Sequence, residues 1–425
     1  MALEYAVEMA ASSIRFGRGV TRELGMDLQE MQARRVMLLT DPNLAKLSPV
    51  QNAEQSLRDN GVEYVVYPHV RVEPTDVSLR HAIDFAVEGR FDAFVAVGGG
   101  STIDTAKAAN LYATYPADFL DYVNAPIGKG KPVPGALKPL IAVPTTAGTG
   151  SETTGVAIFD YLPLHAKTGI AHRRLKPTLG ILDPENLRTL PAQVAATSGF
   201  DVLSHAIESY TALSYLQRPR PERPVLRPAY QGSNPISDVW SLEALRWVSQ
   251  YFVRAVEDPD DLEAREKMQL AAAYAGVGFG NAGVHLPHGM SYPVSGMVKT
   301  FRPEGFPGDH PIVPHGMSVI LNAPAVFRFT AQACPDRHLI AAGILGADVS
   351  RAKPEDAGNL LSDQLIKIMQ RLKVPRGLNA VGYDKSDIPA LVQGTLPQAR
   401  VTKLSPRPVN EADLAHLFEE SMTGW

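Results

Sequence analysis

The sequence predicts two domains, an α/β domain built on a parallel sheet and then an all-α domain. Short apolar runs alternate with helical patterns up to about residue 185, and this alternation is typical of parallel sheets. Beyond Pro191 long helical stretches dominate and strand patterns are few. The 425 residues exceed what one hydrophobic core usually serves, so we place the domains at residues 1–185 and 186–425.

Five apolar runs in the first domain predict buried strands of the sheet. Each run is short, rich in aliphatic residues, and ends at or just before a glycine, a proline or a polar residue. They are Val36–Thr40, Tyr64–Tyr67, Phe94–Val97, Leu140–Val143 and Gly180–Pro184. Nearer the N-terminus, Gly17-Arg18-Gly19 predicts a hairpin at the edge of this sheet.

Three stretches of the second domain contain many strong helix formers, and the last has a good capping residue in Asn410. These stretches are Leu262–Ala275, Pro354–Leu372 and Glu411–Met422. Ser214–Pro235 and Gly296–Pro314 interrupt the helical pattern, and their prolines predict loops because proline sustains neither a helix nor a central strand.

The overall composition narrows the class of protein. Hydrophobic residues make up 45% and charged residues 20% of the chain, as in ordinary globular proteins. The net charge of −4 argues against a nucleic-acid-binding surface, and no apolar run is long enough to span a membrane. Cys334 is the single cysteine, so an internal disulfide is excluded and a reducing compartment is indicated. We therefore expect a cytoplasmic protein.

A glycine-rich turn follows the third predicted strand and opens a helix. It contains Gly98, Gly99, Gly100 and Ser101, and Asp104 follows in the first helical turn. Backbone N–H groups and the positive end of a helix dipole at such a turn suit a phosphate, and Ser101 is placed to cap the helix. The glycines alone would also fit a tight turn without a ligand. The order of strand, glycines, serine and helix favours a phosphate-binding loop.

A second loop, rich in hydroxyl side chains, follows the fourth predicted strand. Thr145, Thr146 and Thr149 lie in this loop and are suited to phosphate or ribose at the carboxyl edge of the sheet. Asp41 ends the first predicted strand and is suited to the hydroxyls of an adenosine ribose, although such a residue is also common in turns. Because its charge would repel a 2′-phosphate, we expect NAD rather than NADP.

One carboxylate and three imidazoles of the second domain predict a metal site. Asp201 and His205 are four residues apart, so a helix places both on one face about one turn, or ~5.4 Å, apart. His288 and His315 follow in small-residue contexts. The Asp201–His205 pair alone would fit an ordinary helix surface. All four together suit a divalent ion such as Fe²⁺ or Zn²⁺.

Five motifs occur in an order that resembles a known family. They are GGGSTIDTAK at Gly98–Lys107, PTTAGTGSE at Pro144–Glu152, Asp183-Pro184, the Asp201–His205 pair and His288-Gly289-Met290. Over nearly the full length this series resembles the metal-dependent group III alcohol dehydrogenases, the iron-containing ones. The resemblance implies an N-terminal dinucleotide-binding domain and a C-terminal helical metal-binding domain.

The resemblance also assigns roles to individual residues. It implies that the metal ligands are Asp201, His205, His288 and His315. It implies that the glycine-rich turn binds the pyrophosphate, that the threonine loop contacts the cofactor, and that Lys167 lies at the cofactor. Many family members have a second histidine four residues after the third ligand, whereas this chain has Tyr292 there. Tyr292 and His285 are the candidate catalytic side chains, and His285 would alternatively be a hydrogen-bonded core residue.

The segments at residues 227–235 and 281–293 resemble a subgroup that moves a hydride between hydroxyacids and oxoacids through bound NAD. The resemblance implies 4-hydroxybutyrate as donor and 2-oxoglutarate as acceptor. The alternatives are an ordinary NAD-dependent alcohol dehydrogenase that releases NADH, a lyase of the dehydroquinate synthase type, or a binder without activity. We expect small-molecule partners, no nucleic acid or membrane, and a homo-oligomer of two or more copies.

Acid substrates require cationic partners, and arginine forks are the best of these. The candidates lie in the proline-rich stretch and just after Lys167. They are Arg173, Arg174, Arg218, Arg220, Arg223 and Arg227. Any one of them would more commonly face solvent, and we expect at least one to bind a substrate carboxylate.

Overall fold

The computed structural model describes residues 2–164, 166–307 and 310–424, without the side chain of residue 225. The chain forms two compact units, Ala10–Pro191 and Ala192–Trp425 together with Met1–Met9. The boundary predicted between residues 185 and 186 falls inside the first unit, in the short 3-10 turn Pro184–Leu187. The N-terminal segment joins the second unit because Glu4 forms an ion pair with Arg227.

The first unit contains a six-stranded parallel sheet, which confirms the predicted α/β class. In chain order its strands are β1 (Ser13–Phe16), β2 (Arg35–Leu39), β3 (Glu63–Tyr67), β4 (Ala93–Gly98), β5 (Leu140–Pro144) and β8 (Leu179–Leu182). Between β5 and β8 the chain forms a separate antiparallel pair, β6 (Val156–Tyr161) and β7 (Ala166–Ala171). The sheet order is β1-β8-β5-β4-β2-β3. All five predicted strands are present within a residue or two at each end.

The hairpin predicted at Gly17–Gly19 is wrong. Strand β1 pairs in parallel with β8, and the chain then turns into a 3-10 helix at Val20–Glu23. Asp183 fixes this turn, because its carboxylate accepts hydrogen bonds from the backbone N–H of Gly19 at 2.9 Å and from the hydroxyl of Thr21 at 2.7 Å.

Helices cover the sheet, and the strands alternate their side chains between two cores. The helices are α1 (Leu24–Glu30), α2 (Ser48–Asp59), α3 (Asp76–Gly89), α4 (Gly100–Thr114) and α5 (Phe119–Tyr122). In β2, Val36 and Leu38 belong to one core while Met37 and Leu39 belong to the other. Because the strands are parallel, their carboxyl ends lie along one edge, which brings the turns after β4 and β5 side by side.

The second unit contains helices joined by loops and no strand in its described residues, in agreement with the predicted helical class. Its helices are α6 (Ala192–Thr211), α7 (Pro235–Glu257), α8 (Leu262–Ala282), α9 (Leu286–Gly296), α10 (His315–Ile320), α11 (Ala323–Thr330), α12 (Pro335–Ile344), α13 (Ala357–Arg371), α14 (Ile388–Thr395), α15 (Ala399–Thr402) and α16 (Glu411–Thr423). Asn410 caps α16 as predicted, accepting a hydrogen bond from the N–H of Asp413 at 2.9 Å. No helix in the described ranges is both long enough and apolar enough to cross a membrane.

Candidate functional site

Helix α6 presents three acidic or basic side chains from one buried face. Asp201, His205 and Glu208 are spaced by four and three residues, so they follow one another along the same stripe of the helix. All three are buried. Gly199 permits this depth, because a Cβ there would lie 2.0 Å from the ring of Phe252 on α7.

Two other helices bring imidazoles to the same point. His288 lies in the first turn of α9 and His315 begins α10. From Asp201 Oδ1, the Nε2 atoms of His205, His288 and His315 are 3.6, 3.4 and 3.7 Å away. Ligand atoms about 2.1 Å from a tetrahedral ion are separated by roughly 3.4 Å. Ligand atoms of Asp201, His288 and His315 all lie within 4.8 Å of one another, and His205 is close to this group through Asp201 Oδ1. We call Asp201, His205, His288 and His315 the donor cluster.

The donor cluster fits a divalent cation. Asp201 Oδ1 and His288 Nε2 are buried, and no residue in the described part of the chain hydrogen-bonds to either atom. Buried polar atoms are rarely left without a partner, because the cost of their desolvation is then uncompensated. Three imidazole nitrogens and one carboxylate oxygen are a set that Fe²⁺ and Zn²⁺ both accept.

Charge states within the donor cluster also suit a cation. Burial alone would raise the pKa of Asp201, but the three neighbouring histidines hold it well below its usual range. Burial lowers the pKa of His205 to about 3, so this ring is neutral. Burial opposes a charge on His288, yet Glu208 and Asp201 raise its pKa to about 10. His288 would have to lose that proton on binding a cation, so affinity for the cation should rise with pH.

Glu208 is a site residue that the sequence analysis missed. Its Oε1 atom accepts hydrogen bonds from the backbone N–H groups of His285 at 3.0 Å and of His288 at 3.1 Å, and its Oε2 atom contacts His288 Nδ1. A carboxylate on the far nitrogen fixes the ring orientation of a metal-binding histidine. Its spacing of seven residues from Asp201 was the available signal in the sequence.

Close helix packing fixes the remaining rings. A Cβ at Gly316 would lie 2.0 Å from the carbonyl oxygen of Thr197, so only glycine lets α10 approach α6 and deliver His315. The ring of His205 stacks on Phe279 with centroids 3.8 Å apart. The side chain of His315 is 23% exposed while that of Asp201 is 3% exposed, so the donor cluster opens on the side of His315.

The two candidate catalytic side chains differ in their surroundings. His285 Nε2 pairs with the hydroxyl of Thr211 at 3.0 Å, its ring packs edge-on against Phe327, and burial lowers its pKa to about 4. These contacts are those of a hydrogen-bonded core residue, which was the alternative to a catalytic role for His285. Tyr292 lies one turn after His288 on α9, and its hydroxyl accepts a hydrogen bond from Arg400 Nη2 at 3.0 Å.

Several of the arginines considered for substrate have partners within the protein. Arg227 forms two hydrogen bonds to the carboxylate of Glu4, and Arg218 donates to the backbone carbonyl of Tyr230. Arg220 lies over the ring of Tyr5, with 4.4 Å from its guanidinium carbon to the ring centroid. In the first unit, Arg174 donates to the carbonyl of residue 133 at 3.2 Å. A carboxylate-binding role for this group stays a prediction.

In the first unit, the glycine-rich turn and the threonine loop are in contact. A Cβ at Gly99 would lie 3.2 Å from Thr146 Cγ2, and one at Gly100 would lie 2.6 Å from Thr149 Cγ2. The N–H of Thr145 donates to the carbonyl of Gly98 at 3.1 Å. The glycines therefore permit this contact between the loops and leave the start of α4 open for an anion.

The expected cap by Ser101 is wrong. Gly99 occupies the N-cap position without a side-chain bond, so Ser101 lies inside the first turn, where its hydroxyl accepts from the N–H of Glu73 at 3.1 Å. Asp104 also faces inward, because its Oδ2 atom accepts from the N–H of Ile158 at 2.9 Å and its Oδ1 atom from the hydroxyl of Ser151. Asp104 thus ties α4 to the threonine loop and to β6.

Asp41 and Lys167 are both buried among partners. Asp41 accepts hydrogen bonds from the N–H groups of Asn43 at 2.8 Å and Leu44 at 3.2 Å, and burial raises its pKa. Lys167 lies 2.5 Å from Glu73 and 3.0 Å from Asp160. Burial would lower the pKa of this lysine, but the two carboxylates raise it. A cofactor role for either residue stays a prediction.

Comparison with known proteins agrees with this arrangement. The family model "Iron-containing alcohol dehydrogenase" matches residues 11–184, and the model of the C-terminal part of the Fe-containing alcohol dehydrogenase family matches residues 229–422. The chain belongs to the iron-containing alcohol dehydrogenase family. It is accordingly an enzyme and an oxidoreductase.

Relatives within the family include hydroxyacid-oxoacid transhydrogenases. The mitochondrial transhydrogenases of Homo sapiens and Bos taurus are each 64% identical over 421 residues, covering 99% of this chain and 90% of the relative. The crystal structure of a 1,3-propanediol oxidoreductase matches with a TM-score of 0.86 and 25% identity, covering 98% of this chain and all of that one.

A further family structure bears on the cofactors. Sulfoacetaldehyde reductase from Bifidobacterium kashiwanohense, solved in complex with NAD⁺, matches with a TM-score of 0.78 and 25% identity over 99% of this chain and 98% of that one. This complex and the family together support NAD and a divalent metal as the cofactors of this enzyme.

The expected cytoplasmic location is wrong. The transhydrogenases similar to this chain are named as mitochondrial, which points to mitochondria. The single cysteine led to the error, because it excludes an internal disulfide without distinguishing between compartments in which thiols stay reduced.

We predict that Glu208→Gln weakens binding of Fe²⁺ and Zn²⁺ by roughly 10- to 100-fold, because the neutral amide no longer holds His288 in its orientation. Competition against a chelator, with metal content by mass spectrometry, measures this. Glu243→Gln is the matched control, because Glu243 is paired with Arg246 on the surface of α7. Equal metal affinities in the wild type and the Glu208 variant would contradict the assigned role.

We predict that Gly100→Ala weakens binding of NADH by about tenfold or more, or ~1.4 kcal/mol. The new methyl group would displace Thr149 and separate the two loops. Fluorescence titration of NADH measures the change. Gly343→Ala is the control, because a Cβ there meets only the side chain of Val349 at 3.3 Å. If both variants bind NADH like the wild type, the glycine-rich turn does not require its close contact with the threonine loop.

Proposed function

We propose that this enzyme is a hydroxyacid-oxoacid transhydrogenase that moves a hydride from a 4-hydroxybutyrate-type hydroxyacid to 2-oxoglutarate through bound NAD. The products would be succinate semialdehyde and 2-hydroxyglutarate. The observation that carries the proposal is the donor cluster, three imidazoles around Asp201 Oδ1, in a chain 64% identical to proteins named for this activity. We also propose that the enzyme works in mitochondria as a homo-oligomer.

Residues of both units would hold the cofactors. Asp201, His205, His288 and His315 would bind Fe²⁺ or Zn²⁺. The glycine-rich turn, Gly98–Ser101, would bind the pyrophosphate of NAD through its backbone N–H groups. Asp41, Thr145, Thr146 and Thr149 are the remaining predicted contacts with NAD. Asp104 and Lys167, also predicted at the cofactor, would act by supporting the loops. When bound, the cation supplies polarisation of the substrate oxygen and NAD supplies a hydride acceptor that also returns the hydride.

The chain's own residues would orient the reacting acid and keep the donor cluster in place. Glu208 holds His288 with Nε2 directed at Asp201, and the N–H of His285 donates to Glu208. His285 is therefore a positioning residue in this proposal. Tyr292, one turn after His288, would contact the substrate where other family members carry a histidine.

An ordinary NAD-dependent alcohol dehydrogenase that releases NADH is the second candidate. It is favoured by the similarity to 1,3-propanediol oxidoreductase, which covers 98% of this chain. The two candidates differ in one observable. A transhydrogenase keeps NADH bound between its two half-reactions, whereas the dehydrogenase accumulates free NADH with a hydroxyacid and NAD alone.

We predict that the purified, metal-loaded enzyme converts 4-hydroxybutyrate and 2-oxoglutarate into equal amounts of succinate semialdehyde and 2-hydroxyglutarate without added NAD. Chromatography with mass detection of both products checks this. Asp201→Asn should abolish the conversion, since it removes the charged oxygen at the centre of the donor cluster. If free NADH accumulates when NAD is added and 2-oxoglutarate is left out, and no hydride passes between the two acids, the enzyme is instead an ordinary dehydrogenase.

A further inference from the structure

Arg400, on the short helix α15, is a half-buried residue whose guanidinium has a buried nitrogen, Nη1, near the donor cluster. Its Nη2 atom donates to the hydroxyl of Tyr292 at 3.0 Å, and its guanidinium carbon lies 4.8 Å from the ring centroid of Tyr230. Its Nη1 atom is buried, and no acceptor among residues 2–164, 166–307 and 310–424 hydrogen-bonds to it. Part of the fork therefore remains free for a ligand.

The charge of Arg400 is not matched by a carboxylate in the described part of the chain. Its side-chain neighbours are two phenols, those of Tyr292 and Tyr230. Arg337 offers a contrast, because this half-buried arginine forms a 2.8 Å ion pair with Asp238. A buried charge without a counter-ion is costly, so the surroundings of Arg400 are suited to an anion from outside the protein.

Helix packing places Arg400 next to the donor cluster. Tyr292 follows His288 by one turn on α9, so the hydroxyl that Arg400 binds belongs to the same helix face as a proposed metal ligand. A Cβ at Gly289 would lie 2.8 Å from Thr402 Cγ2, so α15 packs directly on α9 beside His288. Burial and Tyr292 raise the pKa of Tyr230, Arg400 opposes this rise, and Glu208 is close enough to add to it.

We propose that Arg400 and Tyr292 bind the carboxylate of the acid substrate while its hydroxyl or carbonyl oxygen lies at the donor cluster. This inference rests on the proposed function and identifies the group that selects acids over neutral alcohols. In 4-hydroxybutyrate and in 2-oxoglutarate, the reacting carbon and a distal carboxylate are separated by the same number of carbon–carbon bonds. One cation at a fixed place therefore serves both half-reactions.

The pairing with Arg400 also explains why a tyrosine suits position 292. A phenol accepts a hydrogen bond from the guanidinium and can donate its own proton to a carboxylate oxygen. A neutral imidazole there could also accept from Arg400, but when protonated it would have no acceptor left and would repel Arg400. Tyr292 thus keeps the arginine in position and adds a second donor for the acid.

The test uses the metal-loaded full-length enzyme with Arg400→Gln, and Lys403→Gln as the control. Lys403 is exposed and follows α15 directly, so this control removes an equal charge nearby. Steady-state assays give KM and kcat for 4-hydroxybutyrate and 2-oxoglutarate. Calorimetry gives the affinity for glutarate, a dicarboxylate that cannot react. Metal content and melting temperature are measured for each variant.

We predict that Arg400→Gln raises KM for both acids and weakens glutarate binding by roughly 10- to 100-fold, because a charge-assisted fork is lost. The kcat should change less, and the metal content should not change. Lys403→Gln should match the wild type. Unchanged KM and glutarate affinity in Arg400→Gln would overturn the inference, as would losses that only follow a loss of metal.

Glutarate titration separates this inference from the proposed function. If the wild type transfers no hydride between the acids, the proposed function fails, and glutarate titration still decides whether Arg400 binds a carboxylate.

If Arg400→Gln does not fold, Arg400→Lys is the deciding variant, because lysine keeps the charge but loses the planar fork. We expect a smaller rise in KM for both acids with lysine, and no rise would overturn the inference.

Discussion

The helical unit is organised around one buried oxygen, Asp201 Oδ1, which three imidazoles approach to within 3.4 to 3.7 Å. This arrangement requires three helices to meet closely, and Gly199 and Gly316 are the residues that let them. It also requires each ring to be held from behind, as Glu208 holds His288 and Phe279 holds His205. The packing near α6 thus surrounds the negative charge of Asp201, which would be costly to bury without partners.

The sequence predicts those parts of the fold whose pattern is local. Buried parallel strands are continuous apolar runs, so β2, β3, β4, β5 and β8 were all predicted. Strand β1 is short and mostly exposed, and the pair β6–β7 carries Asp160 opposite Lys167, so neither resembles a buried strand. The hairpin expected at Gly17–Gly19 was wrong because its turn is fixed by Asp183, a residue distant in the chain.

The same limit applies to the candidate site. Asp201 and His205 can be predicted from their spacing of four residues, and the glycine-rich turn can be predicted from its position after a strand. Arg400 has no such signal, because its partner Tyr292 precedes it by 108 residues. Ser101 and Asp104 belong to the predicted cofactor-binding motif, yet both hydrogen-bond to the protein itself. Motif residues therefore divide into those left open to a ligand and those that shape the loop.

The charges near α9 form a pattern that suits an acid better than a neutral alcohol. Asp201 and Glu208 are negative, and a divalent cation in the donor cluster would balance them. Arg400 would then remain as one excess positive charge in a buried place. A neutral alcohol leaves that charge unpaired, whereas the carboxylate of a hydroxyacid or an oxoacid compensates it. The proposed selectivity for acids would follow from this unbalanced charge of Arg400.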